Sequence, residues 1–219
     1  MRNQYLCFIT IVMTLFSCKK DMAYLKTDQS ISGPTNFSVA VTDCGQTRIQ
    51  TPGGWGANPR GNNPGFYLHA NFSNAFSNGL VIGCEGGNTL KVTSAQAITN
   101  LLPTGGKATT LSGHLVNPTG IKNVLVGHLI ALSLSVGFDN YDLHFGASEV
   151  HLADMIIGKG IFSGTTVGQF LNIANEVMGG CSSVYTIQEI LSTTSNINES
   201  FVDGSRSTSF LICPETTPR

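Results

Sequence analysis

Apolar and polar positions alternate or recur along the chain with periods that name its elements. Between residues 36 and 44, Phe37, Val39 and Val41 alternate with Ser38, Ala40 and Thr42, the period-two pattern of a strand. Residues 51–63 are broken by Gly, Pro and Asn and read as a loop carrying Trp55. Asn63-Pro64 is a helix start, and Leu68, Phe72 and Phe76 then fall four apart, predicting a helix over 64–76. Runs at 80–84 and 89–93 flank Glu85-Gly86-Gly87-Asn88 and predict a hairpin. Ser94 caps a short helix that Pro103 ends, and a loop follows to residue 120.

Asn117-Pro118 is read as opening the most apolar helix, with Ile121, Val124, Leu125, His128, Leu129, Leu132 and Val136 inward and Gly137 at its end. Ser148 is expected to start a helix through Leu152, Met155 and Ile156 to Gly158. Thr165 or Thr166 starts another, closed by Gly179-Gly180. Thr186-Ile187-Gln188-Glu189 matches a capping box, and its helix buries Ile187, Ile190, Leu191, Ile197 and Phe201. A last strand at 208–212 is placed beside the first. The sum is a helix-rich α+β single domain, with a small antiparallel sheet near the termini and helices filling the middle.

The first residues belong to a different pattern. Arg2 is followed by an apolar run from Leu6 to Phe16. That run is too short to span a bilayer, which takes about 20 residues, and it fits the apolar core of a secretory signal. Leu15-Phe16-Ser17-Cys18 resembles a lipobox, which implies cleavage before Cys18 and acylation of its thiol. Two or three acyl chains anchor a protein stably where one does not. Lys19 after the cysteine resembles lipoproteins sent to the outer membrane, and either face of that membrane remains open. The chain therefore divides into a signal peptide (1–17), a lipidated cysteine with a flexible tether (18–35), a globular domain (36–214) and a tail (215–219).

Composition changes this picture in two ways. The 219 residues carry 12 basic and 13 acidic side chains, so no polybasic surface for nucleic acid is expected. Of the six cysteines, Cys7 leaves with the signal and Cys18 carries lipid. Cys44, Cys84, Cys181 and Cys213 remain, an even number in an exported chain, and predict two disulfides. The preferred pairing is Cys44–Cys213 and Cys84–Cys181. No two of the four have the close spacing of a zinc site.

The stretches Thr51-Pro52-Gly53-Gly54-Trp55-Gly56, Ser94-Ala95-Gln96-Ala97-Ile98-Thr99-Asn100-Leu101-Leu102-Pro103, Leu132-Ser133-Leu134-Ser135-Val136-Gly137-Phe138-Asp139-Asn140-Tyr141-Asp142 and Ile197-Asn198-Glu199-Ser200-Phe201-Val202-Asp203-Gly204 resemble a module of exported Bacteroidetes-type proteins. The resemblance covers about residues 44–213. It implies an exported or surface location and supports the domain limits, and it carries no catalytic residue over.

No nucleophile elbow, Walker loop, dinucleotide fingerprint or H-E-x-x-H motif is present. Trp55 in its glycine-rich loop, with Arg60 and Tyr67, is the candidate binding group for a glycan or a surface protein, the alternative being that Trp55 plugs the core. Asp139, Asn140 and Asp142 offer hard oxygen ligands without EF-hand spacing. Asp139, Asp142, His144, Glu149 and His151, with His128 or His114, form the alternative set for a zinc-dependent hydrolase. The preferred reading is a lipid-anchored envelope domain that binds or scaffolds without a cofactor. Its expected partners are the membrane, through the lipid, and a glycan or surface protein. Its oligomeric state is left open.

Overall fold

The computed structural model describes residues 44–205 and 208–214. The signal peptide, Cys18, the tether, the tail and the expected strand at 36–44, apart from Cys44, lie outside the described residues. Those described belong to one compact unit, Ala40–Arg219.

Local signals set most helix starts. Thr51 caps the short α1 (Pro52–Trp55) by accepting from the Gly54 N–H. Asn63 caps α2 (Pro64–Ala75), its Oδ1 accepting from the Phe66 N–H at 2.8 Å with Pro64 in the first turn. Strands β1 (Leu80–Gly83) and β2 (Thr89–Val92) pair antiparallel as the hairpin pattern predicts, with Leu80 opposite Val92. Leu80, Ile82, Leu90 and Val92 turn inward, leaving Val81 and Lys91 on the outer face. Ser94 caps α3 (Ala95–Leu101).

The next strand, β3 (His114–Val116), pairs parallel to β2 within the segment read as loop. The most apolar helix, α4 (Val124–Tyr141), follows it. After α4 come a 3-10 turn at Leu152–Asp154 and the short β4 (Ile156–Ile157). The last helices, α5 (Val167–Gly179) and α6 (Ile187–Asn198), each open on a complete capping box, Thr166 with Gln169 and Thr186 with Glu189. Gly180 closes α5 in the left-handed region, φ 81°. Strand β5 (Leu211–Ile212) pairs antiparallel with β4.

Helix α4 is long and apolar enough to cross a bilayer, with a mean hydropathy of 1.3, yet 61% of it is buried inside the domain. It is the central helix: α1, α2, α5, α6 and β1 all pack on it. A helix covered on most sides needs apolar groups on most sides. Leu125, Leu129, Leu132 and Phe138 are buried along it, and so are Val126, Ile130 and Leu134 between them.

Three expected boundaries move. Asn117 does not open α4. Its side chain is spent on Thr93, just past β2, accepting from the backbone N–H at 2.9 Å and donating to Oγ1 at 2.7 Å, with its own backbone at φ 46°. Asn123 takes the cap instead. Its Oδ1 accepts from Leu125 N while its amide donates to the Thr109 carbonyl, so Ile121 lies outside the helix. Gly137 does not end α4 either. A Cβ there would run into the Phe76 ring, so the glycine serves as a contact surface in mid-helix. The helix expected from Ser148 to Gly158 is replaced by the 3-10 turn and β4. Asp139 holds the Leu152 N–H at 2.8 Å, and Ile157 pairs with Thr165 and with β5, which draws the backbone out of helical geometry.

The fold is thus the expected helix-rich α+β type. Its three-stranded sheet comes from mid-chain, and its last strand lies beside β4. Both disulfides form in the preferred pairing. Cys44–Cys213 joins the two ends of the described domain, and Cys84–Cys181 ties the β1–β2 hairpin to the end of α5.

Candidate functional site

Of its two expected places, Trp55 takes the one inside the core and not the one at a binding surface. It has no exposed surface, and its indole N–H donates to Ser135 Oγ in the middle of α4 at 3.2 Å. The same hydroxyl donates to the Ala131 carbonyl and accepts from Gln50 N. The indole ring lies 5.2 Å from Phe138 and stacks on Phe145 at 6.0 Å. A buried indole cannot offer a face to a sugar, so Trp55 plugs the core. Arg60 is exposed on the loop before α2 and bonds through its backbone to Asn63. The cation over Tyr67 is Arg48, not Arg60.

Tyr67, on α2, is half-buried, and its hydroxyl donates to Asp142 Oδ2 at 2.7 Å. Burial and that bond hold the phenol protonated well above the ordinary tyrosine range. Asp142 follows the last residue of α4. The Tyr67 hydroxyl, the His144 backbone N–H and the nearby charges of His144 and Arg48 outweigh its partial burial and pull its carboxyl below the usual range. The Arg48 guanidinium carbon stands 5.5 Å from the Tyr67 ring centre and 5.1 Å from that of Phe145. Sequence reading missed Arg48. The only local signal is its outward place between the buried Thr47 and Ile49, whereas its aromatic bed comes from two distant segments.

Asp139, one turn earlier on α4, is buried, and its Oδ2 lies 3.1 Å from His151 Nδ1. With Nδ1 donating to the carboxylate, the half-exposed His151 keeps Nε2 for exchange with a ligand or solvent. A recess of about 140 Å³ is lined by Asp139, Asp142, Ser148, Glu149 and His151. Ser148 is already engaged, donating to the Cys44 carbonyl at 2.7 Å and accepting from Val150 N. Gly146 lines this recess and also a larger one of about 370 Å³, which holds Gln46, Arg48, His144, Asp203 and Ser205.

The alternative metal set is divided by this geometry. Among the described residues, no three His, Cys, Asp or Glu side chains are placed to hold a metal ion. Asp139 and Asp142 are spent on His151 and Tyr67, and His144 is almost fully exposed. His114 sits on β3, bonded to Thr89. His128 lies in a different groove, with Gln188, Leu191 and Ser192, where burial pulls its pKa below the usual histidine value. Its carbonyl accepts from Asn198 Nδ2 at 2.9 Å. No protein-family model, curated protein or solved structure matches this chain.

Proposed function

We propose that the chain is a lipid-anchored protein of the bacterial cell envelope that works by binding, the membrane holding it through Cys18 and the domain capturing a ligand or surface partner. One observation carries the location. Every cysteine after Cys18 is paired, in two disulfides that close long loops. Such bonds persist in oxidising compartments and are rare in a reducing cytosol. The lipobox-like Leu15-Phe16-Ser17-Cys18 and the apolar run before it agree with the same route. Support for binding over metal-dependent hydrolysis comes from the separation of His128, His144 and His151 into different recesses, alongside an open polar recess at Arg48.

The test is metabolic labelling with a palmitate analogue in a bacterial host, followed by membrane fractionation. The wild-type chain takes up label and sediments with the outer membrane, and Cys18→Ser loses both properties. Label-free wild-type protein with an intact residue 1, or Cys18→Ser that labels equally, overturns the anchoring. Protease treatment of intact cells then separates an outward-facing domain from a periplasmic one.

A further inference from the structure

The larger recess contains an arginine that no ion pair holds among the described residues. Among the described residues, Arg48 has no carboxylate within ion-pair distance and no hydrogen bond to its guanidinium. Its five N–H donors sit in a flat fork, laid against Tyr67 and Phe145 and half-buried. Two rings hold the fork in place before any ligand arrives, which lowers the entropy cost of binding. Two acids near it, Asp142 and Asp203, keep their charge but direct their hydrogen bonds elsewhere. Asp142 accepts from Tyr67 and from the His144 N–H, and Asp203 Oδ1 accepts from Gln50 Nε2 at 2.6 Å. Asp203 holds its place in the left-handed region, φ 52°, a conformation that aspartate tolerates better than most residues.

We propose that this recess binds a hydroxylated monocarboxylate of the uronic-acid class, with the carboxylate on Arg48 and the hydroxyls on Asp203, Gln46 and Ser205. It rests on the binding role given above and names the ligand. The guanidinium fork matches the two oxygens of a carboxylate. Asp203 on the wall and Asp142 beside Arg48 disfavour a dianion such as phosphate, because each adds a like charge at short range. The remaining lining selects against a bare carboxylate. The Gln46 amide and the Ser205 hydroxyl each donate and accept, and Asp203 accepts, which suits hydroxyl groups that do both. An ammonium group would be drawn to Asp203 but would leave the donors of Gln46 and Ser205 unused, and alanine is the control for that alternative. The volume, about 370 Å³, is within the span of small-ligand pockets.

The experiment is calorimetric titration of the full chain, purified in detergent, with glucuronate, glucose, acetate, alanine and inorganic phosphate. Glucuronate is expected to bind saturably and more tightly than the other four. Arg48→Lys keeps the charge and loses the fork, and weakens glucuronate about ten- to a hundredfold with an unchanged melting temperature. Asp203→Asn keeps the backbone conformation and removes the like charge, so phosphate gains affinity relative to glucuronate. Equal binding of acetate, alanine or phosphate would make the recess a bare anion or amino-acid site and overturn the proposal. Equal binding of glucose, unchanged affinity in Arg48→Lys, or no saturable glucuronate binding would overturn it too. This titration does not depend on lipidation, so its failure and a failure of the Cys18 test are told apart.

Discussion

Tyr67 and Asp142 are 75 residues apart and share a 2.7 Å hydrogen bond that fastens α2 to the C-terminal end of α4. The phenol is the largest single cause of the lowered Asp142 pKa. A carboxyl with a depressed folded pKa contributes stability that is present above its unfolded value, near 3.9, and is lost as pH falls through the folded value. Tyr67→Phe should therefore cost about 1 kcal/mol at neutral pH, discounted for a partly exposed pair. The gap between variant and wild type should close below about pH 4. Urea melts across that range check both the size and the sign.

His128 should give a second acid-side slope. Burial lowers its pKa below the ordinary value, with the Glu199 charge opposing. The unfolded chain then takes up a proton before the folded one does, so stability falls as pH drops below about 6.5. His128→Gln should flatten that part of the stability–pH curve whatever it does to stability at neutral pH. An unchanged slope between about pH 6.5 and 5 would place the effect elsewhere.

Gly137 is a steric prediction. Alanine favours a helix interior over glycine by about 1 kcal/mol, so exposed replacement would stabilise. Here the added methyl meets the Phe76 ring, which is itself stacked on Phe72 and set edge-on to Phe138. Gly137→Ala should destabilise by about 1–3 kcal/mol through overpacking. Phe76→Leu in the same chain should recover part of the loss, as a thermal melt of the double variant would show.

The disulfides make the fourth prediction. Free-thiol titration of the unfolded, unreduced domain should read near zero for Cys44, Cys84, Cys181 and Cys213. Replacing Cys84 and Cys181 together by serine should cost about 2–5 kcal/mol, since the bridge closes a loop with a sequence separation of 97. A melt unchanged in the double variant would show that the bridge does not brace the fold.

The features legible in the chain all act within a few residues of their signal. Asn63-Pro64, Ser94 and Thr186 with Glu189 start their helices where they were read, and Thr166 is one of the two starts read for α5, because a cap is satisfied by an N–H two or three positions away. The β1–β2 hairpin is legible for the same reason, and the even cysteine number anticipated two bridges. Only tertiary structure made Asn123 rather than Asn117 the cap of α4, since the Asn117 side chain is taken by Thr93, 24 residues back and just past β2. It also decided that Gly137 is a contact rather than a stop, that Trp55 lies inside against Ser135, and that Arg48 rests on Tyr67 and Phe145. Each of these depends on which surface arrives from a distant segment. Local propensity carries no information about that arrival, because the free energy that settles it comes from packing and hydrogen bonds made between elements after they have formed.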